Sequence, residues 1–353
     1  MPLPENEKIN EVADQLVSVI REGYGKVSTK TRPVHARGQL VKGIFVPSEG
    51  AKYVSKAPIF QTASTQLLAR FSCDTGYHDI KDTDIDSNPR GLAIRFMLSE
   101  DGHTHFDMIT NTAIGFPVSR GEGFRDMFRF KLEHITWEHL IKDWPKIPWY
   151  LRNRKPLWPM SFATEQWHGI HAYTLDRDDG KRTYFRTRLV SPQGVMKMGE
   201  EEAKAKDGTY LFDNLESRLT AKPPKPIVYN WMAQIADPEV DNLNDSSCEW
   251  PEDREFINLG TFTFDRLWTH DEGETPGRNQ ERIIFDPKPR YMEGIGVSED
   301  PIIEMRTSVY LKSGLIRRKA NGVDGGMSTA TRSGPRLGFR SEAVARERSL
   351  PFL

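Results

Sequence analysis

Between residues 35 and 106 the apolar residues fall into short runs at 38–45, 67–72, 92–97 and 105–110, separated by Ser48-Glu49-Gly50, Ser87-Asn88-Pro89 and Asp101-Gly102. This spacing constrains the fold more than any other feature of the chain. Runs this short fit strands better than helices, and the Gly, Asn, Asp and Pro residues between them supply tight turns. The pattern predicts consecutive antiparallel strands that form a barrel or a sandwich. Further strand-like runs lie at 171–175 and 182–190, joined as a hairpin across Asp176-Arg177-Asp178-Asp179-Gly180, and at 256–267 and 282–287. Aromatic residues and arginines alternate in 182–190, so one face of that strand is expected to cover something flat or anionic.

Helical periods come at the two ends and in the middle. Ile9, Val12, Ala13, Leu16, Val17 and Ile20 recur at helical spacing within 5–22, and Gly23 and Gly25 end the run. Residues 119–160 are helical or irregular and dense in aromatics, with Phe124, Met127 and Phe128 on one face and Trp137, Leu140 and Ile141 on another. Prolines 145, 148, 156 and 159 interrupt the rest. The stretch 198–206 reads as helix, whereas the pattern does not separate helix from strand at 211–219 and 227–236. Residues 269–280 read as a polar loop. A helix is predicted over 302–316, with Ile303, Met305, Val309 and Leu315 apolar. The residues from 321 to 353 are rich in Gly, Ser, Thr and Arg and read as a surface or disordered tail. The reading is an α+β chain with a barrel core. It divides into an N-terminal helix (1–30), a main domain (31–320) and a polar tail (321–353).

Composition excludes several classes. The chain of 353 residues carries 49 basic and 50 acidic side chains, a balance that gives no field for nucleic acid or an anionic membrane. No apolar run approaches the ~20 residues that span a bilayer. The polar residues 1–8 do not read as a signal peptide. Cys73 and Cys248 are the two cysteines, and neither sits in a metal-ligand spacing, so neither a zinc site nor a disulfide framework is expected. Sparse cysteines suit a reducing, cytoplasmic setting.

Four separated segments carry chemistry-bearing residues. They are Arg32-Pro33-Val34-His35-Ala36-Arg37-Gly38; Ala69-Arg70-Phe71-Ser72 with Asn88-Pro89-Arg90-Gly91; Phe106-Asp107-Met108-Ile109-Thr110-Asn111 with Phe116; and Gly294-Ile295-Gly296-Val297-Ser298-Glu299-Asp300 leading to Arg306-Thr307-Ser308-Val309-Tyr310. In this order they resemble the haem catalase family. Catalases carry a V-H-A-K/R-G stretch with a distal histidine, an A-R-F-S stretch, a P-R-G turn and a D-L-V-x-N stretch with a distal asparagine. A G-I-x-x-S-P-D segment then leads to R-x-x-x-Y, whose tyrosine binds iron. The resemblance runs from about Arg32 to Arg318. It lacks the long N-terminal arm, most of the wrapping segment and the large C-terminal additions of classical catalases. It is therefore more similar to the small catalase-related peroxidases, whose fold is shared with coral-type allene oxide synthases.

The resemblance implies an eight-stranded antiparallel barrel, with haem b and its iron between barrel and helices. Tyr310 would be the metal ligand. A phenol titrates near ~10, so binding as phenolate needs a cation beside it, and Arg306 lies one helical turn earlier. His35 would take the proton from the near peroxide oxygen and return it to the leaving one. Asn111 would donate a hydrogen bond to the peroxide. Ser72 would hold the other nitrogen of His35, and Phe116 would pack on the haem or line its pocket. Arg32, Arg70 and Arg317 would bind the haem propionates, guanidinium being suited to carboxylate. Val34 would contact the distal side. Coral-type allene oxide synthase has threonine there, so valine favours peroxide reduction.

The implied partners are a peroxide and a small organic reductant, with homo-oligomers among the relatives. Three functions stay open: a haem peroxidase with weak catalase activity, a fatty-acid hydroperoxide isomerase or lyase, and a non-catalytic haem-binding protein.

Overall fold

A computed structural model of the protein describes residues 2–25, 27–99, 104–153, 158–268 and 279–322. The first half runs α1 (Glu7–Gly23), β1 (Gly38–Pro47), α2 (Ala51–Val54), α3 (Pro58–Gln61), β2 (Thr65–Ser72), β3 (Gly91–Met97), β4 (His105–Asn111), α4 (Gly121–Lys131), α5 (Trp137–Asp143) and α6 (Ile147–Asn153). It continues with β5 (Trp158–Pro159), β6 (Gln166–His168), β7 (Tyr173–Asp176), β8 (Arg182–Val190), β9 (Lys197–Met198), α7 (Glu200–Lys204), α8 (Tyr210–Thr220), β10 (Ile227–Ile235), β11 (Phe256–Leu267), β12 (Ile295–Val297) and α9 (Pro301–Ala320).

The strands close into the expected barrel. Neighbours pair antiparallel in the order β10-β11-β1-β2-β3-β4-β6-β8, and β8 pairs back onto β10. Closure leaves these eight strands without a free edge. β7 and β12 extend the sheet from β8. The interior is filled with large side chains: Phe45, Phe71, Phe96, Trp167, Phe185, Trp231, Phe262 and Phe264 are all buried. Trp231 packs against Phe45, Phe96 and Phe262 with ring centroids 5.6–5.8 Å apart. These side chains fill the barrel interior, and the cavity lined by the chemistry-bearing segments lies on the outside of its wall.

Strand alternation supplies that outer surface. In β2 the ring of Phe71 joins the barrel core, while Arg70 and Ser72 point out. In β3 and β4, Arg95 and Asp107 stand directly opposite each other and form a fully buried, bidentate pair with both bonds at 2.7 Å. Arg95 also donates to Ile284 O at 2.6 Å, and Asp107 accepts from Asp286 N at 2.8 Å. The pair thereby straps the 283–286 segment onto the barrel; removing one member of such a buried pair costs about 3–5 kcal/mol.

Helices cover this wall. The apolar stripe of α1 (Val12, Ala13, Leu16, Val17, Val19 and Ile20) is buried against α4 and α9. Asn6 starts the helix by accepting from Lys8 N and Ile9 N. Among the described residues no helix is long and apolar enough to cross a membrane.

One expected strand does not form, and other readings sharpen. The stretch 282–287 is not a strand. A 3₁₀ turn at Asn279–Arg282 precedes it, and arginine side chains rather than a neighbouring strand take its carbonyls. The ambiguous segments separate into helix α8 and strand β10, and the last helix extends to Ala320. The arginine face of β8 covers something flat and anionic, as expected, and this is the chain's own 245–252 loop. Arg186 lies over the Trp250 ring and donates to Cys248 O and Asp245 O, and Arg188 grips Glu252. Beyond Gly322 the expected tail lies outside the described residues, as does the expected loop from 269 to 278.

Candidate active site

One cavity lies between the outer faces of β2, β3 and β4 and the helices α1 and α9. It encloses about 840 Å³, part of it open to solvent. Arg32, Val34, His35, Arg70, Ser72, Asn111, Arg306, Tyr310 and Arg317 all line it. Phe116 does not. The turn after β4, with Gly115 at φ 77°, carries it away, and its ring packs on Phe124 at 5.0 Å beside Val118.

His35 stands on the barrel side in a left-handed backbone conformation, φ 56°. A non-glycine residue rarely adopts this, and it persists only where the surroundings impose it. Here Arg70 donates to His35 O at 2.8 Å and to Ala36 O at 3.0 Å, and Ala36 N donates to Thr75 O at 3.0 Å. A Cβ at Gly38 would collide with the Arg70 guanidinium, and one at Gly91 would sit 2.9 Å from Ser72 Oγ and 3.0 Å from His35 Cε1. Both glycines are therefore needed for close approach.

The ring's tautomer follows from its partners. His35 Nδ1 lies 3.1 Å from Cys73 O and 3.2 Å from Ser72 Oγ. A carbonyl can only accept, so Nδ1 carries the proton and Nε2 keeps its lone pair. Burial pushes the imidazole below its usual pKa, Asp74 and Cys73 O oppose this, and Arg70 and Arg306 add to it. His35 is thus a neutral base at neutral pH. Asn111 accepts from Ala113 N at 2.8 Å through Oδ1, which leaves its amide NH₂ as a donor.

The opposite wall is α9. Arg306 Nη2 donates to Tyr310 OH at 3.0 Å across one helical turn. A guanidinium in this position stabilises negative charge on the phenol oxygen. Two further residues, given no role by the sequence reading, complete a chain. Arg306 Nη1 donates to His171 Nε2 at 2.8 Å, and His171 Nδ1 donates to Asp300 Oδ2 at 2.8 Å. Asp300 also caps α9 by accepting from Ile302 N. His171 begins a strand-like run with no motif of its own, whereas Asp300 closes the 294–300 segment that the resemblance marks.

The three arginines converge at one end of the cavity. Arg32 donates to Gln280 O (2.7 Å) and Ile283 O (3.1 Å), Arg317 donates to Glu281 O (3.1 Å) and Ile283 O (3.0 Å), and Arg70 Nε donates to Gln280 Oε1 (3.0 Å). A buried carboxylate absent from the sequence expectations sits among them. Glu281 lies 3.1 Å from Arg32 Nη1 and 3.5 Å from Arg317 Nε. Burial alone would raise its pKa, but Arg32, Arg70 and Arg317 outweigh this and hold it below the usual carboxylate range. Burial and the neighbouring Arg32 push Arg70 down to about 9. Among the described residues, Arg32, Arg70 and Arg317, with Arg21 close by, outnumber the one carboxylate Glu281, so this end of the cavity is cationic.

His171 has a measurable consequence. It is 1% exposed, and burial, with Arg306 adding to it against Asp300, pushes its imidazole down to about 4. An unfolded histidine titrates near ~6.5, so between about pH 6.5 and 4 the unfolded chain binds a proton that the folded chain refuses. This contribution is complete above about pH 6.5 and falls by about 3 kcal/mol as the pH drops toward 4. Urea unfolding at pH 7.5, 5.5 and 4.5 should show the loss in the parent and a smaller one in His171→Gln. Equal pH dependence in both would mean that His171 is not held neutral.

Comparison with known proteins bears on this arrangement. The Catalase family profile matches residues 23–323. A protein of Mycolicibacterium paratuberculosis named "Catalase-related peroxidase" is 31% identical over 322 residues, covering 89% of this chain and 96% of its own length. A protein of the same name from Synechococcus elongatus is 27% identical, covering 85% of this chain and 87% of its own. A bacterial catalase structure superposes with a TM-score of 0.68 at 20% identity; the match takes in 95% of this chain and 65% of that one. A fungal catalase structure gives a TM-score of 0.64 at 19% identity, over 95% of this chain and 71% of its own. The closed barrel, the cavity on its outer wall and a profile match that spans nearly all of both lead to one conclusion: the chain belongs to the catalase family.

Proposed function

We propose that the protein is a haem-dependent peroxidase that reduces hydrogen peroxide or organic hydroperoxides at the expense of small organic donors, with weak catalase activity. As a catalase-family member it is an oxidoreductase acting on peroxide. The observation that carries the finer reading is a single cavity with a neutral histidine base on one wall, an arginine-paired tyrosine on the other, and a cationic end.

The residues present fit haem b. The positive excess of Arg32, Arg70 and Arg317 over Glu281 among the described residues suits the anionic propionates of a haem. Val34, Leu92, Ala93, Ile109, Ile283, Phe285 and Val309 give the cavity an apolar lining. Tyr310 would ligate the iron, and the three arginines would hold the propionates. When bound, haem supplies the reducing equivalents that cleave the peroxide O–O bond. His35 Nε2 takes the proton from the near oxygen and returns it to the leaving one. The Asn111 amide orients the peroxide, and Val34 keeps the distal side apolar. Arg306, held by His171 and through it by Asp300, donates to the tyrosine oxygen and fixes its position.

The test is the purified, haem-loaded protein assayed with peroxide, with and without a phenolic donor. Donor-dependent peroxide consumption should exceed donor-free oxygen release by about tenfold or more, the gap expected if donors rather than a second peroxide return the electrons. Allene oxide or aldehyde products from a fatty-acid hydroperoxide would instead assign an isomerase or lyase. Bound haem without turnover would leave a haem-binding protein.

A further inference from the structure

The two nitrogens of His35 have different company. Nδ1 is held by Cys73 O and Ser72 Oγ. Nε2 lies 3.9 Å from Oδ1 of Asp74, the next residue along the same turn. That distance is too long for a hydrogen bond but well within the range over which one charge acts on another. The placement is built into the backbone. Asp74 N donates to Ser87 O at 3.0 Å, Cys73 N to Arg37 O at 3.1 Å, and Ala36 N to Thr75 O at 3.0 Å. The turn that follows β2 therefore holds one edge of the imidazole and sets a carboxylate before the other. Solvent reaches both partners, the His35 side chain being 31% exposed and that of Asp74 24%.

We propose that Asp74 is a positioning residue for the peroxide reaction, the carboxylate that stabilises the imidazolium His35 becomes when it takes the peroxide proton. This deepens the peroxidase reading and rests on it. The proton passes from the near peroxide oxygen to Nε2, where Asp74 faces it, and then to the leaving oxygen. The other charges around His35 work against this step: Arg70 from β2 and Arg306 from α9 both disfavour a cation on the ring. Ser72, Gly91 and Asn111, from β2, β3 and β4, bring no charge, and Tyr310 faces the cavity from α9. A histidine between Arg70 and Arg306 would be a weak base, and Asp74 restores part of its basicity.

The test compares the full chain with Asp74→Asn and Asp74→Glu. Diethyl pyrocarbonate modifies only neutral imidazole, so its rate at His35, read by peptide mass spectrometry from pH 4.5 to 8, reports the charge state of that ring without any turnover. The midpoint should fall by about one pH unit in Asp74→Asn and return to the parental value in Asp74→Glu. The haem-loaded Asp74→Asn protein should also react with hydrogen peroxide about threefold more slowly. An unchanged or raised midpoint overturns the proposal and leaves the peroxidase reading intact. A lowered midpoint with an unchanged peroxide rate overturns the role in the reaction. If His35→Ala is then also as fast as the parent, the peroxidase reading falls with it. Asp74→Ser, smaller and uncharged, carries the same test should the asparagine variant not fold.

Discussion

Tyr310→Phe is expected to lose tightly held haem. The substitution removes one oxygen and keeps the ring, so the packing of α9 against the 283–285 segment is retained. It removes the only phenol that the described cavity presents, and it deprives Arg306 Nη2 of the acceptor it reaches at 3.0 Å. Loss of outer partners to a metal ligand commonly weakens metal binding by 10–100-fold, so loss of the ligand itself should weaken haem binding by about 100-fold or more. Titration of haem into the variant, followed by the Soret and charge-transfer bands, measures this. The orphaned guanidinium should also destabilise the protein, since His171 Nε2 alone then pairs with it. An unchanged spectrum at parental affinity would remove Tyr310 from the iron.

His35→Ala should do the reverse: it keeps the haem and loses the reaction. The carbonyl that Arg70 holds belongs to the backbone, so the arginine end of the cavity is retained. What disappears is the lone pair on Nε2. General base catalysis contributes about 10²–10⁴-fold, and the peroxide-dependent change in the haem spectrum should slow by that factor in stopped-flow measurements. His35 has φ 56°, where alanine is strained by roughly 1–2 kcal/mol. His35→Asn is therefore the companion variant, because asparagine tolerates this conformation better. Both variants should show the same kinetic defect while only alanine lowers the unfolding midpoint. A parental rate in either would end the assignment of His35 as the base.

Much of the fold was legible because its signals are local. The alternation in Ala69-Arg70-Phe71-Ser72 puts the arginine and serine on one face and the phenylalanine on the other, and β2 has this arrangement. The run at 182–190 coincides with β8, and that at 256–267 with β11. The stretch 282–287 misled because short apolar runs read as strand wherever they occur. Its carbonyls went to Arg32, Arg95 and Arg317, partners remote in sequence. The arginine face of β8 does cover something flat and anionic, but only the fold shows that the cover is the chain's own Trp250 and Glu252.

The candidate site divides in the same way. Residues within one element, such as Arg306 and Tyr310 at helical spacing, or Ser72 at the end of a strand, could be placed by period and motif. By itself the sequence determined which stretches form most strands and helices and which segments carry chemistry, because side-chain periods of two and 3.6 residues are properties of the local backbone. Only the tertiary structure decided which groups meet. His171 reaches Arg306 across 135 residues, Glu281 enters the arginine cluster across some 250, and Phe116 leaves the cavity altogether. Those meetings depend on where the barrel closes and how its strands register. Closure and register are set by pairings between distant strands, and no local pattern encodes them.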